Sequence, residues 1–411
     1  MSRTRDQERV DRIQQGLESA GLDAIVCSLP ANVLLLTGYW PVTGVSIAIA
    51  TRDGEVALLA PKDEKQLAEK GWADELESFE PSSLHEIKSA TDAVRSPLRS
   101  LLKKLKLGRA KLGCDVGPAH QPASYASMHF YGAPLIEILH DVARKAQVKA
   151  AHDPLARLKS VLTRREIELV RLACRVAGES YARGAAQIGA GMEEVEIASR
   201  FTAPLSLIGT GLPDVERAGG FAMCMSGKNS AEAHGAYARS RAREIRNSEF
   251  VLVHCNSYID GFCTDITRTY TVGEPNKRQG KIYEAIFAAR QAALAAIYPG
   301  AAAADVDRAA REVLRKYGFN KEFKHATGHG IGFVAIDHSA IPRLHPKSPD
   351  VLEPGMVFNI EPAVYIEGWG GARHCDTVAL TESGLEVLSD FQSDPTQLIL
   401  SPERRPQRLA A

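Results

Sequence analysis

Five positions in the second half of the chain, His254, Asp265, His329, Glu361 and Cys375, carry side chains that ligate transition metals or move protons. Imidazole, thiolate and carboxylate suit an ion such as zinc, and imidazole and carboxylate serve as acids and bases where no metal takes part. In residues 251–270, VLVHCNSYIDGFCTDITRTY, two β-rich runs flank an Asp260-Gly261 turn signal, and folding the hairpin about 259–260 sets His254 opposite Asp265. Cross-strand partners have Cβ atoms roughly 4.5–5.5 Å apart, which suits two ligands of one ion and equally a plain hydrogen bond.

The other three candidates come from separate segments. His325-Ala-Thr-Gly-His329-Gly-Ile-Gly-Phe333 surrounds a histidine with glycines, which lets the backbone pass close to a ligand and leaves an imidazole facing a cleft. PGMVFNIEP sets Glu361 in an otherwise apolar strand, where a carboxylate needs a partner because an unpaired buried charge is costly. In GGARHCDTVAL the strand period of two puts Arg373 and Cys375 on one face, with His374 and Asp376 on the other. Four strands or loops could therefore deliver all five residues to one cleft.

These segments need a scaffold, and the chain is long enough for one of two domains. Residues 1–155 alternate helical and strand patterns, which suggests a small α/β domain. A helix is expected over 5–20, a hairpin of VSIAIA and EVALLAP about Asp53-Gly54, a helix over 82–106 and a strand over Lys111–Val116. In residues 156–411 a capping box at Thr163 and Glu166 opens a helix running towards Gly189. Helices at about 276–298 and 303–317 are then interleaved with antiparallel strands at about 249–256, 262–272, 356–366 and 372–380, an α+β arrangement. The polar tail after Ser401 is expected to fray.

Bulk properties exclude several classes. Lys+Arg and Asp+Glu are 50 each, so no net field draws nucleic acid or an acidic membrane surface. No apolar run approaches the roughly 18–20 residues a membrane span needs, and the charged start MSRTRDQERV lacks a secretory core. Seven cysteines with no CxxC pair read as reduced thiols, most of them packing residues, and point to the cytoplasm.

Taken in order along essentially the whole chain, the motifs resemble the creatinase, prolidase and aminopeptidase P superfamily, the peptidase M24 or pita-bread group. LARLKSVLTRREIELVRLA, Ser226-Gly227 leading to His234, Asp265-Ile-Thr-Arg-Thr269, His329-Gly-Ile-Gly, Met356 to Glu361-Pro and Gly371-Ala-Arg373 carry the likeness. It implies a pita-bread domain preceded by a creatinase-type domain, a homodimer, and a site that in the peptidases holds two metal ions with Asp, Asp, His, Glu and Glu. By that resemblance Asp265, His329 and Glu361 are retained ligands. His254 stands where the first Asp would be, and Cys375 replaces the bridging second Glu. His234 matches the first active-site histidine, and His338 the substrate-facing one, two residues further from His329 than the family pattern has it.

Two divalent ions bring four positive charges, and this site offers two carboxylates, or three negative groups if Cys375 ionises. The expectation is therefore a hydrolase of a C–N bond (amide, amidine or Xaa-Pro-like peptide) in a small molecule or short peptide. It would use one divalent ion (zinc, manganese or iron) or none, with His234, His338 and Arg373 as catalytic groups. A single ion would be held by Asp265, His329 and Glu361, with His254 or Cys375 as a fourth ligand. A conventional Xaa-Pro aminopeptidase or dipeptidase with unusual ligands, a pita-bread module that binds without catalysis, and a lyase on the same scaffold stay open beside it. His254 as a hydrogen-bonding partner of Asp265, and Cys375 as a space-filling thiol, also stay open.

Overall fold

The computed structural model describes residues 4–42, 45–81, 85, 89–115, 133–235, 239–337 and 340–401. Spatial proximity divides the described residues into two compact units, 4–115 with 133–159, and 160–401.

The first unit is built on a six-stranded mixed sheet of β1 (Ala24–Cys27), β2 (Ile47–Thr51), β3 (Val56–Pro61), β4 (Glu75–Phe79), β5 (Lys111–Cys114) and β6 (Gln147–Ala150), in the order β4-β3-β2-β1-β5-β6. The helix Gln7–Ser19 starts where Asp6 accepts from the Arg9 amide, and it buries Val10, Ile13 and Leu17 at helical spacing. Gly54 closes the β2–β3 hairpin at a φ of 93°, a conformation open to glycine. The helix read over 82–106 runs Ala90–Lys104, starting later because Ser89 caps it. Val116, at the end of the expected strand, lies outside the described residues.

The second unit opens on the helix Arg164–Ala185. Thr163 accepts from the Glu166 amide and Glu166 accepts from the Thr163 amide, at 3.3 and 2.8 Å, so two orphan donors are satisfied reciprocally. Its buried stripe of Ile167, Val170, Ala173 and Val176 lies against a sheet of β7 (Ala218–Ser226), β8 (Phe250–Ile259), β9 (Phe262–Cys263) and β10 (Ile266–Val272). Further along the chain come β11 (Val357–Ile360), β12 (Ala363–Ile366), β13 (Gly370–Arg373), β14 (Asp376–Thr381), β15 (Gly384–Val387) and β16 (Ile399–Leu400). The larger sheet has the order β16-β10-β8-β7, β11-β14-β15 form a second and β12-β13 a third. The strands read over 356–366 and 372–380 are each interrupted: Glu361-Pro362 breaks the first, and His374-Cys375 separates β13 from β14. Helices Lys277–Ala295 and Ala303–Lys316 follow the expected positions closely. The tail from 402 lies outside the described residues, and among those described no helix is long and apolar enough to cross a membrane.

One buried ionic cluster ties the strands of this unit together. Asp376 accepts from Arg268 Nη2 at 2.8 Å and from Arg290 Nε at 2.5 Å, with all three side chains almost fully buried. Arg268 also donates to the carbonyls of Cys375 and Ser389, both at 2.8 Å. Burial alone would raise the Asp376 carboxyl, but Arg268, His374 and Arg290 hold it well below the usual carboxylate range. Removing the anion would leave two buried guanidinium groups uncompensated, so Asp376→Ala should destabilise the protein by about 3–5 kcal/mol. The measurement is urea denaturation, and an unchanged midpoint would show that the cluster contributes no net stability.

Candidate functional site

The β8–β9–β10 ribbon sets the first two site residues. Its turn is centred on Asp260 and Gly261, which take positive φ values of 47° and 89° as a two-residue primed turn requires. The register is therefore Ile259↔Phe262, Tyr258↔Cys263 and His254↔Thr267. The expected pairing of His254 with Asp265 is corrected by two residues, because the bend sits one residue later than a fold about 259–260 assumes. A slip of two preserves the face. His254 and Asp265 consequently still meet, diagonally, with Nδ1 3.4 Å from Oδ1.

His329 is delivered by its glycine loop, and the glycines have a steric reason. A Cβ at Gly328 would stand 1.9 Å from the Asn359 carbonyl oxygen, and one at Gly330 would stand 2.2 Å from that of Ile341. The loop is thus pressed against the end of β11, where the His329 amide donates to Asn359 Oδ1 at 2.6 Å. His329 Nδ1 donates to the Gly330 carbonyl at 3.0 Å, which turns Nε2 into the site. It faces Asp265 Oδ2 at 3.7 Å, and the Asn359 amide points at both atoms from 3.4 Å.

Arg373 enters from the end of β13 and is nearly buried. Its amide donates to Thr269 Oγ1 at 3.0 Å, and the same hydroxyl donates to the Arg373 carbonyl at 2.9 Å. The guanidinium donates from Nη2 to His254 Nδ1 at 2.9 Å and from Nε to Thr267 Oγ1 at 3.0 Å, while Nη1 lies 3.6 Å from Glu361 Oε2. Burial and the charge of Arg373 lower His254 to about 3, so the ring is neutral. Burial pushes the Asp265 and Glu361 carboxyls up, and the guanidinium opposes that rise. Cys375 lies beside Asp265, its Sγ 3.2 Å from the main-chain oxygen and 3.7 Å from Oδ1, and burial keeps the thiol protonated.

His234 follows the 3-10 turn Gly227–Glu232, stacks obliquely on Tyr365 with ring centroids 5.4 Å apart, and has Lys324 Nζ 3.3 Å from its Nε2. Partial burial and the charge of Lys324 lower its pKa. The structure brings His234, His254, Asp265, His329, Glu361 and Arg373 around one cavity of about 80 Å³, with Met223 and Met225 among its apolar lining. Cys375 contacts Asp265 without lining that cavity, and His338 lies outside the described residues.

Other groups of the site were not singled out in the sequence. Asn359 stands on β11 two residues before Glu361, which directly follows that strand, so the same parity that placed Arg373 with Cys375 would have found it. Tyr365 donates to His325 Nε2 at 3.0 Å, and His325 Nδ1 donates to the Ala326 carbonyl at 2.7 Å. His325 precedes His329 by four residues in the glycine loop, the one signal that pointed to it.

Among the described residues no three His, Cys, Asp or Glu side chains are grouped so as to hold an ion. His254 has both ring nitrogens engaged, Nδ1 with Arg373 and Nε2 with Asn256 Oδ1 at 3.0 Å. With His254 engaged and a thiol at 375, these residues offer two carboxylates, Asp265 and Glu361, which do not offset the four positive charges of two divalent ions.

Residues 168–382 match the family model described as metallopeptidase family M24, and residues 9–127 match the creatinase/prolidase N-terminal domain. The Xaa-Pro dipeptidase of Pyrococcus furiosus is 27% identical over 389 residues, covering 94% of this chain and 99% of that protein. The solved prolidase from Pyrococcus furiosus superposes with a TM-score of 0.72 at 25% identity, over 92% of this chain and 99% of that one. An Xaa-Pro dipeptidase from Bacillus anthracis gives 0.77 at 22% identity, over 96% and 99% of the two chains, a likeness of fold. The expected α+β architecture, a pita-bread unit preceded by a creatinase-type unit, is the one found, and the chain belongs to the metallopeptidase family M24 as a hydrolase.

Proposed function

We propose that this protein hydrolyses a C–N bond in a small substrate, an Xaa-Pro-like peptide or a small amide or amidine, with at most one divalent ion at its centre. The observation that carries the reading is a neutral histidine, His234, sharing a cavity with Glu361 and the Arg373 guanidinium. The dipeptidase names of the relatives support the peptide class of substrate. A cavity of about 80 Å³ admits a scissile group and a water, leaving the bulk of the substrate outside it.

In this reading His234 takes the proton of the attacking water as its oxygen bonds to the substrate carbon. Arg373 and Glu361 hold the substrate, and the fixed positive charge of Arg373 faces the oxygen on which negative charge develops. As the C–N bond breaks, the leaving nitrogen takes up a proton, a step assigned to His338 from the sequence. A single ion, be it zinc, manganese or iron, would find its nearest paired donors in Asp265 and His329, with Glu361 as the third group. A cytoplasmic homodimer is part of the same reading through the family likeness.

Two outcomes test it. Against a panel of Xaa-Pro dipeptides, small amides and amidines, the chain should turn over at least one member, and His234→Ala should lower kcat by about 10²–10⁴-fold. Inactivity across the panel, or full activity in the variant, would sink the assignment. The second test is the pH profile. Because the base works in its neutral form and its pKa is lowered, kcat/KM should fall only when pH drops below the ordinary histidine value of about 6.5. Lys324→Ala, by removing one source of that lowering, should move this acid limb upward; an unmoved limb means that His234 is not the titrating group.

A further inference from the structure

Lys324 touches the proposed base yet has no anion of its own. It is exposed on the segment leading into the glycine loop, and its Nζ stands 3.3 Å from His234 Nε2. An ammonium has only protons to give, so His234 accepts through Nε2 and that lone pair is occupied. Among the described residues no carboxylate pairs with Lys324. Glu232 acts on His234 through its charge without closing an ion pair to the lysine. The other cation of the cavity lies deeper. Arg373 is nearly buried, with His254, Thr267 and Glu361 at its three nitrogens. An anionic group on the part of a substrate left outside the cavity therefore meets Lys324.

Covalent geometry says where such a group would fall. In a dipeptide the carboxylate carbon is three bonds from the scissile carbon, so the two lie no more than about 4 Å apart. The attacking water has to stay within hydrogen-bond reach of the base, roughly 2.6–3.2 Å, as it approaches that carbon. A carboxylate on the leaving residue is thereby confined to the neighbourhood of His234, and Lys324 is the cation standing there.

We propose that Lys324 is a specificity-determining residue that receives the free carboxylate of the leaving residue. In doing so the ammonium comes off His234 Nε2, so the base is released by those substrates that carry the anion. A substrate whose carboxylate is amidated, or extended into further peptide, leaves the ammonium on the imidazole and lacks the charge-assisted bond. The class selected is the dipeptide, or another small C–N substrate with a carboxylate three bonds from the scissile carbon. This deepens the hydrolase reading and rests on it for the role of His234 as base.

The test compares Xaa-Pro dipeptides as free acids with the same peptides as C-terminal amides. Alongside turnover, calorimetry measures binding of an Ala-Pro analogue whose scissile carbonyl is reduced to a methylene, again as acid and as amide. The unaltered chain should favour the acid by about tenfold to a hundredfold in kcat/KM, the range for one hydrogen bond to a charged group. That preference should disappear in Lys324→Ala and largely survive in Lys324→Arg, and the exposed position makes both changes compatible with folding. An unaltered chain that treats acid and amide alike, or a Lys324→Ala variant that keeps the preference, would overturn the proposal. The analogues separate this result from the hydrolase reading. If no substrate is turned over, that reading falls, while tighter binding of the acid analogue, lost in Lys324→Ala, would still place the carboxylate on Lys324. Equal binding of the two analogues, or binding of neither, counts against the proposal whatever the turnover.

Discussion

A buried guanidinium has to be answered by acceptors on every side it presents, and that requirement organises the centre of the second unit. Arg373 is nearly buried, yet His254, Thr267 and Glu361 face its three nitrogens, and Thr269 fixes its main chain. Three of those partners come from β8 and β10, so the register of one hairpin decides whether the cation is satisfied. The glycine loop must then approach closely enough for His329 to meet Asp265, which the absence of Cβ atoms at Gly328 and Gly330 permits. Removing a partner leaves a charge unpaired at a cost of several kcal/mol, so the surrounding strands are constrained by it.

The strand period of two separates this centre from a second one on the same segment. Arg373 and Cys375 face Asp265 and Glu361, while His374 and Asp376 face Arg268 and Arg290. Both centres are rich in charge and buried, but they differ in compensation. Asp376 is enclosed by cations that bond it directly, and its proton is driven off. Asp265 and Glu361 share one cation between them, at longer range, so burial raises both. The first arrangement spends all its charge on cohesion; the second leaves carboxylate and imidazole facing a cavity.

Much of this was legible in the sequence where a local rule governs it. The capping box at Thr163 and Glu166, the Asp53-Gly54 hairpin and the parity of Arg373 with Cys375 depend on neighbours a few residues away. The hairpin at Asp260-Gly261 shows the limit: its face followed from the sequence, its register did not. Register depends on which two residues take positive φ, and Asp260 does so in place of the residue before it. The tautomer of His254 was further out of reach, because it rests on the Asn256 amide, which is set in turn by the Thr264 carbonyl. Tyr365 paired with His325 likewise joins strand and loop through contacts that no spacing encodes.

His254 and Cys375 are best understood as one change. They flank Asp265, with the imidazole 3.4 Å from one carboxylate oxygen and the thiol 3.2 Å from the main-chain oxygen of the same residue. A carboxylate at either position alone would add a buried negative charge beside a group whose ionisation burial already opposes. It would do so without providing the full ligand set that two ions require. Neighbouring residues that share a partner are energetically coupled, so the two positions are expected to change together. With both neutral, Asp265 is left one cation to lean on, and that cation is Arg373.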